Sequence, residues 1–303
     1  MNQFEFEKEM SSFISKLDNA EMAKEAADEV SDVVRAFERE DSFLTQCIPA
    51  QTVTRADLQL NTRTGDDTME KVCFKEPDAT ALFSTFKGTP YAQQVYGEKF
   101  VVKIGKIQSG QYEKHQDELL AWQGIGLLEM VEQNSAYEVM NRQDKIFLDV
   151  LRAAVKTGGG YDLGDDGGIS RDNLIDLMNA LLDTPVSCAM LLMTEKTRNL
   201  YMKQKSDVFG DQLSGTITID GYPGNKMIQM PVITTKKNWL LNDNEIFALA
   251  APEYLGKHYV LEDVRYVVNK VKGLVSWYCE KKFGLILPNG AAVARLRLNG
   301  FED

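Results

Sequence analysis

The residues able to carry chemistry are few in this chain, and their spacing does not gather them into a site. There are two histidines, His115 and His258, and four cysteines, Cys47, Cys73, Cys188 and Cys279. His115 sits in Glu113-Lys-His-Gln-Asp-Glu118. A zinc-protease helix needs a second histidine four residues on, and none follows. The sequence places His115 on a solvated helix face and His258, between Lys257 and Tyr259, in a surface connector. No two cysteines are neighbours in sequence, so they read as free thiols rather than zinc ligands. Gly168-Ile-Ser-Arg-Asp172 begins like a nucleophile elbow, but its last glycine is missing and Ser170 fits a helix cap better. The stretch from Gly158 to Gly168 carries Asp162, Asp165 and Asp166 without the alternation and closing glutamate of a calcium loop, and reads as a flexible solvated loop. No phosphate-cradling loop and no glycine-rich dinucleotide turn occur. The reading is therefore no catalytic residue, no cofactor and no metal. Catalytic groups meet in space rather than in sequence, so a cytoplasmic enzyme with an atypical site stays as an alternative.

The elements available to position anything follow from composition and periodicity. The chain has 303 residues, is 44% hydrophobic and carries a net charge of −11. That length buries a real core, as one large or two modest domains. The acid is uneven: Met1 to Asp41 holds 12 Asp and Glu against 5 Lys and Arg, a net of −7. A chain-wide basic surface for nucleic acid is thereby disfavoured. No signal peptide and no apolar run of membrane-spanning length is present, which implies a soluble protein made in a reducing cytoplasm.

Phe4 to Phe37 reads as a thin amphipathic helix that needs a partner to cover its stripe. Residues 71–75 and 100–104 alternate, putting Val72 with Phe74, and Phe100 with Val102 and Ile104, on single faces. They bracket a short helix capped by Asp78 and follow a polar loop tip at 61–67, making a hairpin-like arm. A lone hairpin is marginal in water, and its edges invite a neighbouring chain. Glu113 to Lys156 reads as a long helical block with a break near Asn134-Ser135, stopped by Gly158-Gly159-Gly160. Ser170 caps a helix through Leu182, 186–193 is a buried strand, and Thr194 caps a helix through Tyr201. Strands follow at 216–219, 226–234 and 246–250, with Pro231 marking the second as an edge or a bulge. Val264, Tyr266 and Val268 begin a long strand toward Cys279, and 292–298 alternates after a Pro288-Asn-Gly290 turn. The class is mixed α+β.

The order of these parts carries a resemblance. A capped helix, an apolar strand ending Met193-Thr194 and the short helix Arg198-Asn-Leu-Tyr-Met-Lys203 come first. A Gly221-Tyr-Pro-Gly224 turn then leads to Lys226-Met-Ile-Gln-Met-Pro-Val-Ile-Thr-Thr235, followed by Asn242-Asp-Asn-Glu-Ile-Phe-Ala-Leu-Ala-Ala-Pro252. This succession resembles the major capsid proteins of tailed bacteriophages, the Hong Kong 97-type fold, over roughly 51–298. The resemblance implies an N-terminal arm at 1–50 and an extended E-loop at 51–108. It implies a peripheral domain with a spine helix at 109–167, an axial domain at 168–264, and peripheral return strands at 265–303.

The function so implied is structural. Hexamers and pentamers of the chain would form an icosahedral shell around double-stranded DNA, held without sequence-specific contacts and with no membrane. The chain would be assembled in the host cytoplasm and end in the virion. Implied partners are further copies of itself, a separate scaffolding protein (the arm being short), a portal and decoration proteins; no crosslink is expected. Inter-subunit contacts are placed at Arg63, Asp66 and Asp67 of the loop tip, Phe100 and Val102 of the E-loop, and Lys236 and Lys237, in a loop around a capsomer axis. An encapsulin-type nanocompartment shell, enclosing cargo protein, shares the fold and is the alternative.

Overall fold

The computed structural model describes residues 41–61, 68–74, 99–115, 125–157, 159–165, 169–183, 186–202, 226–227 and 230–298. The expected helices at 4–37 and 78–88, the loop tip with Arg63, Asp66 and Asp67, the strand at 216–219 and the Gly221–Gly224 turn lie outside them. In chain order the elements are α1 (Phe43–Cys47), β1 (Ala50–Thr52), β2 (Gln59–Asn61), β3 (Thr68–Phe74), β4 (Lys99–Gln108), β5 (Tyr112–His115), α2 (Ile125–Thr157), β6 (Tyr161–Asp165), α3 (Arg171–Leu182), β7 (Cys188–Thr194), α4 (Glu195–Met202), β8 (Lys226–Met227), β9 (Met230–Thr235), β10 (Glu245–Ala250), α5 (Pro252–Leu255), β11 (Lys257–Val271), β12 (Leu274–Ile286) and β13 (Val293–Arg297).

Two sheets share these strands. One runs β1-β11-β12-β4-β3-β2, with β5 paired on the far part of β12. The other runs β6-β13-β10-β7-β9-β8. Helix α2, about 50 Å long at 1.5 Å per residue, joins them. Its buried positions Ala136, Val139, Phe147, Leu148, Leu151, Ala154 and Val155 recur at three and four residues and form one stripe. The stripe shares a core with Trp277 and Cys279 of β12 and Phe247 and Leu249 of β10. The alternate residues of β10, Ile246 and Ala248, face the other way, onto Leu174, Leu177 and Leu181 of α3. All six residues of β10 are buried, because helices cover both of its faces.

Several expectations hold in detail. Ser170 caps α3, its Oγ accepting from the Asn173 amide at 3.1 Å. Thr194 caps α4, its Oγ1 accepting from the Thr197 amide at 3.2 Å. Gly159 takes a left-handed φ of 82° just past α2. Pro231, expected on an edge or bulged strand, instead lies on β9 between β7 and β8, opposite Lys226; it precedes the β7–β9 ladder, which begins at Val232, so its missing N–H interrupts no bond there.

Other expectations are corrected. Residues 112–115 form strand β5 on Leu274–Trp277, so His115 lies on a strand rather than a helix. Helix α2 continues through Asn134-Ser135, because Ser135 and Ala136 fall on the buried stripe and packing outweighs local propensity. Tyr161–Asp165 is a strand, parallel to β13, where a loop was expected. The strand expected to run from Val264 to Cys279 is a hairpin, β11 turning into β12 at Lys272 (φ 51°) and Gly273 (φ 79°). Two successive left-handed residues are what a tight hairpin requires, but Lys-Gly is a weak sequence signal for it. The strand at 293–297, expected among the peripheral returns, pairs with β10 and β6 in the second sheet. Its first four residues are all buried, as suits an interior strand.

Candidate functional site

Among the described residues, the histidines and cysteines are placed as follows. His258 is fully buried, its ring edge-on to Phe283 at 5.8 Å, instead of lying at the surface. Burial, and then the nearby Lys281 cation, pull its pKa down to about 4. Burial likewise pushes the Cys188 thiol up to about 11, and burial together with the Asp144 charge pushes Cys47 well above the ordinary thiol range. Among the described residues no three His, Cys, Asp or Glu come together to hold a metal ion, and no helix is long and apolar enough to cross a membrane. A cleft of about 480 Å³ opens beside the start of α4, lined by Thr194, Glu195, Lys196, Lys236 and Asp243 among others. Its hydroxyls are engaged in structure. Thr194 donates to Asp243 at 2.6 Å, and the Thr197 hydroxyl donates to the Asp243 carbonyl at 2.5 Å.

The features with something left to satisfy are surfaces. Strands β3 and β4 form a ribbon with Cys73 opposite Phe100, Val72 opposite Val101 and Lys71 opposite Val102. Directly opposed residues share a face. The inner face carries Val102, which packs with Val53 and Tyr259, and Cys73, whose Sγ meets the Tyr259 hydroxyl at 3.1 Å. The outer face carries Phe74, 67% exposed, and Val101, 47% exposed, with the Lys99 ammonium over the Phe74 ring. The expected grouping on β4 is therefore right, Phe100, Val102 and Ile104 being together. On β3 Val72 and Phe74 also share a face, as expected, and Cys73 turns inward on the other. Val102 is covered within its own chain and Phe100 is half-buried, and among the described ribbon residues the exposed large apolar side chains are Phe74 and Val101. The ribbon grows from the first sheet where Gly105 opposes Phe283. At that crossing Gly284 leaves room: a Cβ there would lie 2.8 Å from the Ile104 side chain and 2.9 Å from the Lys103 carbonyl.

Charged groups tie the ribbon strand β4 to the first sheet and helix α2 to the second. Glu280, on β12 and nearly buried, takes Lys106 from β4 and Arg265 from β11. Its carboxyl is held below the usual range, with the two cations outweighing the cost of burial. Glu262 is held low as well, chiefly by the Lys282 bond, with Arg265 and Arg55 adding to it. In the second sheet Glu245 takes Arg152 of α2 at 2.5 Å and Arg295 of β13 at 3.4 Å. Arg295 also reaches Asp162 at 2.5 Å, which explains why the acidic stretch at 161–165 is ordered as a strand.

The clearest departure from expectation is Lys237. Its neighbour Lys236 is exposed and lines the cleft, as a contact residue should. Lys237 points the other way. Its side chain is 0% exposed, and its ammonium sits 2.7 Å from Asp144, midway along α2. Phe43 and Tyr137 present ring faces to it at 5.8 and 5.6 Å. Asp144 also accepts from the Ser42 hydroxyl at 2.5 Å and the Leu44 amide at 3.2 Å. Burial raises its pKa against the opposing pull of Lys237, Ser42 and Leu44. A Lys-Lys pair after a strand reads as solvated, and nothing in the local sequence reveals a partner 93 residues away.

Two sheets bridged by a long helix, with a capped helix packed on one of them and the β3–β4 ribbon extending the other, form an architecture that solved structures share. The chain matches a structure from Mycobacterium phage Cain with a TM-score of 0.58 at 11% identity, over 90% of this chain and 95% of that one. It matches the capsid of a native GTA particle at 0.50 and 15%, over 87% and 92%, and a virus-like particle from Pyrococcus furiosus at 0.50 and 12%, over 90% and 98%. The chain therefore has the Hong Kong 97-type capsid fold. No family model matches the sequence, and no curated protein matches it.

Proposed function

We propose that the chain is a structural shell protein, the major capsid protein of a tailed bacteriophage, and not an enzyme. Copies assemble as hexamers and pentamers into a closed icosahedral shell, formed in the host cytoplasm and carried in the virion around double-stranded DNA. The observation that carries this reading is the mutual coverage of the fold. Nine-tenths of this chain aligns with nearly the whole of a phage structure. The ribbon supports it: an outward apolar face at Phe74 and Val101 is the kind of surface that a symmetric neighbour buries.

Within this reading the boundaries 1–50, 51–108, 109–167, 168–264 and 265–303 serve as arm, E-loop, peripheral, axial and return segments, with β13 lodged in the axial sheet. Lys236, Phe100, Arg63, Asp66 and Asp67 remain proposed contacts, and Phe74 and Val101 join them. Lys237 and Val102 leave that group, being buried within the chain. A scaffolding protein, a portal and decoration proteins belong to the same proposal. The acidic segment before residue 41, if it lines the interior, keeps packaged DNA mobile by repulsion.

The test is electron microscopy of the purified chain combined with the variant Phe74→Asp/Val101→Asp. Wild-type chain forms closed shells or capsomer rings. The double variant keeps its far-ultraviolet circular dichroism, because both sites are exposed, and stays unassembled. Shells from the double variant, indistinguishable from wild type, would remove the ribbon from the interface. Shells that enclose protein rather than nucleic acid would favour the nanocompartment reading.

A further inference from the structure

The Asp144–Lys237 pair joins three segments that are remote in sequence, and this geometry has a consequence for how the chain moves. The segment entering the fold at Asp41 makes its first turn, Ser42–Cys47, directly on the pair. Ser42 donates its hydroxyl to Asp144, Leu44 donates its amide to the same oxygen, and Phe43 lays its ring beside the Lys237 ammonium. Gln143 donates to the Ser42 hydroxyl at 3.3 Å, so α2 holds this turn through two adjacent residues.

On the other side, Lys237 is the base of the loop that connects β9 to β10. Its backbone carbonyl accepts from the Leu240 amide at 3.0 Å and the Leu241 amide at 3.1 Å, and its amide donates to Thr235 Oγ1 at 3.1 Å. Arg152 holds the Leu240 carbonyl at 3.2 Å, and Leu241 is fully buried. The loop so clamped presents Trp239, 60% exposed, and borders the 480 Å³ cleft with Lys236, Asn238 and Asp243. A fully buried lysine keeps its charge only beside a carboxylate that is itself well supplied with donors. Two of the three donors to Asp144 belong to the entering turn.

We propose that Ser42, Asp144 and Lys237 form a latch that couples the seating of the N-terminal segment to the conformation of the 236–244 loop. When the entering turn is drawn off the helix, Asp144 loses the Ser42 and Leu44 donors, and Lys237 loses the Phe43 ring. The buried pair is then under-solvated, and the cheaper state has Lys237 turned out to water and the loop released. A partner that grips the N-terminal segment would thereby change the surface around Trp239 without touching it. The coupling concerns one chain and does not depend on the shell reading.

Hydrogen exchange read by mass spectrometry on the full-length, unassembled chain tests the latch in both directions, because coupling between two sites is reciprocal. Ser42→Ala is expected to speed exchange at the Leu240 and Leu241 amides roughly tenfold, the scale of one lost hydrogen bond to a charged group. The Leu249 amide in β10 should not change. Lys237→Met is expected to speed exchange at the Leu44 and Ile48 amides of the entering turn by a similar factor. If each variant loosens only its own segment, the latch does not exist. If Ser42→Ala does not fold, the Lys237→Met arm decides alone, and the reverse holds equally.

Discussion

The buried pair offers the sharpest quantitative test of the fold. In Lys237→Met the methionine keeps most of the apolar volume between Phe43 and Tyr137 but removes the cation. Asp144 then keeps the Ser42 hydroxyl and the Leu44 amide yet has no countercharge, with its side chain 0% exposed. Removing one member of a buried pair costs about 3–5 kcal/mol, whereas replacing both by apolar residues is often close to neutral. Against a total stability on the order of 5–15 kcal/mol, the single loss is large. The double variant Asp144→Leu/Lys237→Met should recover most of it, leaving a cost below about 2 kcal/mol for the donors stranded at Ser42 and Leu44. Urea unfolding of the unassembled chain, followed by circular dichroism and compared at constant m, gives these differences directly. A single variant within about 0.5 kcal/mol of wild type, the range of ordinary surface substitutions, would refute the reasoning. It would mean that Lys237 lies in water, as its place in a Lys-Lys pair led the sequence to imply.

Three further outcomes are expected. His258 takes a proton near pH 6.5 when unfolded but only near about 4 when folded, so stability is full above pH 6.5 and falls as pH drops toward 4. The loss is on the order of 3 kcal/mol; His258→Gln should flatten that part of the stability profile, and an unchanged slope would contradict it. In thiol titration of the native chain, Cys47, Cys188 and Cys279 should stay silent, and only half-buried Cys73, against Tyr259, should react; two or more rapid thiols would contradict the burial. Gly284→Ala should cost about 1–3 kcal/mol by wedging β4 from β12, and a neutral effect in thermal unfolding would mean that the ribbon crosses elsewhere.

How much of this was legible in the sequence depended on whether the signal was local. Ser170 and Thr194 announce their helices because a cap lies next to what it caps. Phe100, Val102 and Ile104 announce a strand face because alternation is a property of the strand itself. The second sheet's inner strands were found from their apolar runs, but which strand neighbours which was not: β13 pairs with β10 and β6. Pairing is set by contacts such as Glu245 with Arg152 and Arg295, at separations of 93 and 50 residues. The same holds for surfaces. Lys237, by its type, reads as exposed; Asp144, 93 residues earlier, makes it buried. Val72 and Phe74 share a face, as alternation implies, but only the register against Val101 and Lys99 shows that this face is the outer one. His258 follows the same rule, since a buried imidazole looked like a surface residue.

The central claim is that this fold builds a closed shell from copies of the chain, and negative-stain electron microscopy of the purified protein tests it most directly. The expected result is closed icosahedral particles, or rings of six and five subunits that close when concentration or ionic strength is raised. A monodisperse small particle that forms no ring or shell under any of these conditions would contradict the claim.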